Sequence, residues 1–143
     1  MNLIKMKAQL VKHEGIKLTP YRCTAGKLTI GVGRNIQDSG ITPDEADFLL
    51  QNDVRECLGD LGFIFDFNYF NSLPENIQMV LLDMRFNLGS NGFREFVHMI
   101  KAVKVKDWTE MIFCMKSSKW FHQVGERGMN LVKMVDQVIK GGM

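Results

Sequence analysis

The stretch HEGIKLTPYRCTAGKLTIGVGR, residues 13–34, decides how the rest of the chain is read. It follows a segment in which Leu3, Met6, Leu10 and Val11 share one helical face, with Lys5, Lys7, Gln9 and Lys12 mostly off it. That spacing predicts a helix over residues 2–14, with Gly15 as its stop. Thr24-Ala25-Gly26-Lys27 is then a turn signal between Tyr21 and Leu28-Thr29-Ile30, so a small hairpin or three-stranded sheet is expected. Glu14 therefore ends a helix, where unpaired carbonyls oppose negative charge. Partial burial beneath the hairpin would favour the protonated acid further. A carboxylic acid kept protonated near neutral pH is what a glycosidase uses on a departing sugar oxygen. The bland alternative is a solvated surface carboxylate. Thr29 is expected opposite the acid with a hydroxyl able to hold water, and Cys23 lies between them near the turn.

Outward from this stretch the chain becomes helical. Ile41-Thr42-Pro43-Asp44-Glu45 opens a helix: Thr42 can cap, Pro43 suits the first helical position, and Glu45 completes a capping box. Phe48, Leu49, Val54 and Leu58 carry that helix to about residue 59. Helix-length segments follow at roughly 74–88, 93–104, 107–116 and 126–140, with breaks marked by Gly89, Gly92, Gly125 and Gly128. The expected fold class is α+β and mostly helical, with the β part confined near the N-terminus. The amphipathic run 131–140 is expected to close a helical lobe, and the ten methionines to fill core gaps.

Composition bounds the function. The 143 residues, 45% of them hydrophobic, suit one domain or two closely packed lobes. A formal charge of +2 with interspersed signs falls short of a nucleic-acid binder's footprint. No apolar run approaches the ~20 residues of a membrane span. Met1–His13 lacks an apolar core and cleavage site, so no secretory signal is expected. Cys23, Cys57 and Cys114 are odd in number and far apart, so free thiols made in a reducing cytoplasm are expected. Motif readings for metals and nucleotides fail on single positions. His13-Glu14 is followed by Lys17 where a zinc helix needs histidine. Gly31-Val32-Gly33 meets Ile36 instead of a third glycine, and Gly26-Lys27 is followed by Leu28 instead of a hydroxyl. No metal and no cofactor are expected.

Glu14-Gly15, Leu18, Tyr21, Cys23-Thr24, Gly26 and Thr29-Ile30-Gly31-Val32-Gly33 together resemble the active-site signature of the phage-type lysozymes, glycoside hydrolase family 24. That signature is a glutamate, an aspartate or cysteine nine positions on, and a threonine six further, as in Glu14, Cys23 and Thr29. The likeness continues through Ile41-Thr42, Asp44-Glu45-Ala46 and Gln51-Asn52-Asp53-Val54, which resemble the start of the family's interlobe helix. Phe86-Asn87-Leu88-Gly89 with Gly92-Phe93 resembles its central core helix and following turn. Trp108, Lys116-Ser117-Ser118-Lys119-Trp120, Gln123 and Arg127 resemble its C-terminal motif. The short segment from Arg34 to Ile41 makes the N-terminal lobe a compact version.

The resemblance implies a single lysozyme-like catalytic domain over 1–143. Residues 14–42 would form a β lobe, 43–59 the connecting helix, and 1–13 with 60–143 the helical lobe. It implies a muramidase cutting the β-1,4 link between N-acetylmuramic acid and N-acetylglucosamine in peptidoglycan. Glu14 would be the general acid and Thr29 would position water. Cys23, standing where the best-known members carry aspartate, would position water, act as a partly ionised base or act as a nucleophile. Arg127 would lie beside the acid. Phe86, Asn87 and Leu88 would line the floor of a substrate cleft, with Arg34 and Asn35 at its rim and Trp120 and Gln123 in support. Arg34 replaces a frequent histidine, which removes a titrating partner at that corner. A monomer without stable membrane insertion is expected, made in the host cytoplasm and, if phage-encoded, holin-dependent in reaching the wall.

Three competing readings make different demands. A cysteine peptidase or amidase built on Cys23 needs a partner histidine, and none has a recognisable context. A non-catalytic wall-binding protein would bind peptidoglycan without releasing reducing sugar. A lytic transglycosylase would also use one glutamate but would leave a 1,6-anhydro product.

Overall fold

The computed structural model describes residues 1–141; positions 142 and 143, the last two of the expected domain, lie outside the described residues. The chain divides into two compact units, Met1–Leu49 and Leu50–Met143.

The first unit opens with α1 (Leu3–Glu14), capped by the Asn2 side chain, which accepts from the Lys5 N–H at 3.0 Å. Gly15 closes it, its N–H bonded to the Val11 carbonyl at 2.8 Å. Three antiparallel strands follow in the order β1 (Lys17–Arg22), β2 (Leu28–Gly31), β3 (Arg34–Asn35). Pro20 sits in β1, an edge strand, where a missing donor is tolerated. The turn between β1 and β2 is fixed by Gly26 N–H to Cys23 C=O (2.8 Å) and Cys23 N–H to Lys27 C=O (3.0 Å). Tyr21 pairs with Thr29, and Thr29 with Asn35 on its other side. The expected small sheet is present with three strands.

A short α2 (Ile36–Ser39), absent from the sequence reading, fills the segment before α3 (Pro43–Phe65). Four residues give no periodicity to read; α2 is defined by its cap, the Asn35 side chain accepting from the Asp38 N–H at 3.0 Å. The predicted capping box of α3 is complete. Thr42 Oγ1 accepts from Glu45 N–H (3.2 Å) and Glu45 Oε1 accepts from Thr42 N–H (2.8 Å).

In the second unit α3 runs six residues past the expected end at 59, despite Gly59 and Gly62. Packing overrides the ~1 kcal/mol propensity cost of each glycine, because Leu61 and Phe65 are buried in the core. Gly62 has a reason to be glycine: a Cβ there would lie 2.2 Å from the Phe67 ring. Two further short helices were not expected, α4 (Phe67–Ser72) and α8 (Lys119–Val124). Each is defined by one side-chain cap, Asp66 on Tyr69 N–H and Ser118 on Phe121 N–H. Between them lie α5 (Glu75–Arg94), α6 (Val97–Lys104) and α7 (Trp108–Lys116), and α9 (Glu126–Ile139) follows. The break expected at Gly89 appears as a kink within α5, with Gly89 at φ 76° and ψ 171°. The core of this unit gathers Leu61, Ile77, Val80, Leu81, Met84, Phe93, Met99, Val103 and Val135 with their neighbours. Met84, Met99, Met111 and Met115 are all fully buried, as expected for gap-filling methionines. The molecule is α+β and mostly helical.

Candidate functional site

Glu14 is the last residue of α1, and the chain returns to it through the turn after β2. Gly33, at φ 65°, makes that approach. A Cβ on Gly33 would lie 2.9 Å from Glu14 Oε2 and 3.1 Å from its carboxyl carbon. The positive φ and the closeness both demand glycine. The partial burial expected of Glu14 is not found: its residue is exposed. The physical reason lies in Gly33, which brings backbone to the carboxyl but has no side chain with which to cover it. The sequence marks this glycine only as part of the family's active-site signature; its closeness to Glu14 is not legible there.

Cys23 and Thr29 are brought together by the hairpin. Thr29 is only 3% exposed, and its hydroxyl donates to the Lys27 carbonyl at 2.8 Å. The Cys23 thiol is held below its ordinary value. The backbone N–H of Lys27 is the largest cause and that of Ala25 the next; desolvation opposes them, and the Thr29 side chain adds a hydrogen bond. A tight turn with amides converging on one atom is an anion-stabilising arrangement, here aimed at sulfur. The same amides favour the thiolate form of Cys23 over that of an ordinary cysteine.

Arg34 and Asn35 are anchored locally. Arg34 forms a two-pronged pair with Glu45, Nη1 to Oε1 at 2.8 Å and Nη2 to Oε2 at 2.6 Å, and also donates to the Gly40 carbonyl. These bonds, with the Thr42 N–H, lower Glu45 from 4.5 to about 2. One carboxylate thus ties β3 to the start of α3. Asn35 caps α2 and donates to Asp38. A depression of about 640 Å³ in this unit is lined by Ile30, Val32, Arg34, Glu45 and Phe48, among others. Glu14, Cys23 and Thr29 are not among its walls.

The remaining sequence-derived residues belong to the second unit. Phe86, Asn87 and Leu88 form the last turn of α5 before the Gly89 kink. Asn87 Oδ1 accepts from Trp120 Nε1 at 3.0 Å, and the Trp120 ring meets Phe96 edge to face at 6.2 Å. Trp120 is buried, so packing and a polar anchor coincide in one side chain. Leu88, Trp120 and Gln123 line one depression of about 250 Å³, together with Glu95, Phe96 and Lys119. Arg127 Nε donates to Asp83 Oδ1 at 2.7 Å, a partner that nothing in the sequence marked. Among the described residues no group of three or more metal-binding side chains is assembled, and no helix is long and apolar enough to cross a membrane.

Comparison with known proteins gives a consistent result. The family model described as phage lysozyme matches residues 11–135. A probable T4-type lysozyme 2 of Dictyostelium discoideum is 23% identical, over 92% of this chain and 93% of its own. The pre-baseplate central spike protein Gp5 of Enterobacteria phage T4 is also 23% identical over 92% of this chain, which corresponds to 28% of that longer protein. An endolysin of Acyrthosiphon pisum secondary endosymbiont phage 1 is 28% identical, over 68% of this chain and 66% of its own.

Proposed function

Because this chain belongs to the phage lysozyme family, we propose that it hydrolyses the β-1,4 bond between N-acetylmuramic acid and N-acetylglucosamine, with Glu14 as proton donor. At the coarser level it is a lysozyme-type glycosidase with peptidoglycan as substrate. The observation that carries the finer reading is the Glu14 carboxyl at the end of α1, with backbone rather than side chain against it at Gly33. That leaves the acid open to a polymer. A docked glycan strand would itself exclude water from the carboxyl, the condition under which an acid keeps its proton for the glycosidic oxygen.

In the proposed reaction Glu14 gives its proton to the leaving oxygen as the bond from that oxygen to the anomeric carbon breaks. Water forms the new bond to that carbon, and its proton passes to a nearby base. Cys23 is the proposed base or water anchor, and its amide-lined turn supports that role. Thr29 is buried with its hydroxyl bonded inside the hairpin, so it would act by orienting the thiol and the water beside it. In the second unit, Phe86, Asn87 and Leu88 are the proposed glycan contacts, with Trp120 holding Asn87 and Gln123 beside it. Arg34 and Arg127 would shape their own neighbourhoods through Glu45 and Asp83.

Product mass spectrometry on digested peptidoglycan tests this reading. Hydrolysis predicts muropeptides with reducing ends at N-acetylmuramic acid. Exclusive formation of 1,6-anhydro ends would replace the hydrolase with a transglycosylase, and binding without any product would remove the catalytic role.

A further inference from the structure

We propose that Asp60 is a positioning residue: it clamps Arg85 and Arg94 across the Gly89 kink and so sets the placement of Phe86, Asn87 and Leu88. The inference rests on the reading that this segment contacts glycan, but its geometry stands within the second unit alone.

A helix broken at one residue has an angle that the backbone does not fix. Gly89, with φ 76° and ψ 171°, interrupts α5 so that Arg85 lies four positions before it on one limb and Arg94 five positions after it on the other. Both guanidiniums meet a single carboxylate on α3. Arg85 Nε donates to Asp60 Oδ2 at 2.6 Å. Arg94 Nη1 donates to the same oxygen at 3.0 Å, and its Nη2 to Oδ1 at 2.6 Å. Arg94 also reaches the Ser90 hydroxyl, inside the break itself. The site is shielded: the side chains of Arg85 and Asp60 are 9% and 14% exposed. Glu56 adds a longer pairing to Arg85 at 3.7 Å.

This arrangement does more than neutralise charge. Apolar packing at positions 60, 85 and 94 together could fill the space, and such wholesale replacement of buried ionic groups often costs nothing in stability. It could not hold two limbs at a defined angle. The carboxylate offers two oxygens in one plane, and the planar Arg94 fork engages both. Phe86, Asn87 and Leu88 follow Arg85 directly, and Asn87 has its second tether at Trp120. Between these two anchors the segment has a fixed orientation, and misplacement of substrate contacts by about an ångström can cost up to ~100-fold in rate.

Arg94→Ala is the first variant to make, because it releases one limb while leaving Arg85 paired with Asp60. Arg94→Lys is the conservative rescue, and Asp60→Asn releases both limbs but leaves the buried Arg85 with only its longer pairing to Glu56. Hydrogen exchange and peptidoglycan hydrolysis are read on the same preparations. Expected is faster exchange at the amides of residues 86–94 in Arg94→Ala, with KM raised about tenfold, kcat changed less, and part of the KM restored by Arg94→Lys. A lower melting temperature with unchanged exchange over 86–94 would overturn the clamp, as would faster exchange with wild-type KM. A wild type that hydrolyses nothing would instead fail the proposed function, and the exchange data would still decide whether the clamp exists.

Discussion

In the first unit Thr29 is the one buried residue, whereas the second buries a continuous apolar cluster from Leu61 to Val135. The first is held by a strand ladder, a tight turn, a capping box and the Arg34–Glu45 pair. The second is held by hydrophobic burial, with its most shielded ionic contacts gathered around Asp60 and others at Arg127–Asp83 and Lys140–Asp136. Directional bonds fix where a few atoms lie but contribute little net free energy each. Apolar burial contributes most of the free energy and is indifferent to direction. The proposed proton donor and thiol therefore sit in the unit built for placement, and global stability resides in the other.

The largest expected effect is on the second unit. Leu81→Ala, at a fully buried position, should lower stability by about 2–5 kcal/mol, read as a drop in the denaturant midpoint. Gly33→Ala is the corresponding cut in the first unit. It adds a Cβ 2.9 Å from Glu14 Oε2 at a positive φ. Hydrolysis should fall by about 100-fold, while stability read from the denaturant midpoint falls by no more than about 1–2 kcal/mol. A Gly33→Ala protein with full activity would erase the distinction between placement and stability.

Acid should reach both units through their carboxylates. Glu45 is lowered to about 2, and Asp60 lies well below the usual carboxylate range, chiefly through Arg94 with Arg85 assisting and burial opposing. Both groups have folded values below their unfolded ones, so each contributes stability that is present above about pH 4.5. That contribution is lost as pH falls from there through the folded values. Melting temperature should decline from about pH 4.5 toward pH 2, and the Arg94→Ala slope should be shallower. The smallest effect is chemical. Burial pushes the Cys57 and Cys114 thiols up, while turn amides lower Cys23. Iodoacetamide followed by peptide mass spectrometry should label Cys23 before either of the others.

What the sequence revealed follows the same division. Signals carried by short local patterns were legible: the Thr42–Glu45 capping box, the Thr24–Lys27 turn, and the Gly89 break each appear where their residue types demand. Long-range polar partners were not. Nothing in the spacing of Asp60, Arg85 and Arg94 announces that they meet, because residues 25 and 34 positions apart are joined only by tertiary packing. The same holds for Arg127 and Asp83. The extension of α3 to Phe65 was hidden by Gly59 and Gly62, whose weak propensity is overridden by the burial of Leu61 and by the Phe67 ring lying over Gly62. The burial of Glu14 was inferred from a helix end and a following hairpin, but a hairpin that returns as glycine cannot cover a carboxyl.

The most direct test is release of reducing ends from purified peptidoglycan by the wild type, Glu14→Gln and Cys23→Ser at matched concentrations. The proposed mechanism predicts reducing ends from the wild type and a loss of about 10²- to 10⁴-fold in Glu14→Gln, with a smaller loss in Cys23→Ser. Wild-type rates in Glu14→Gln would contradict the proton-donor role at the centre of the proposal.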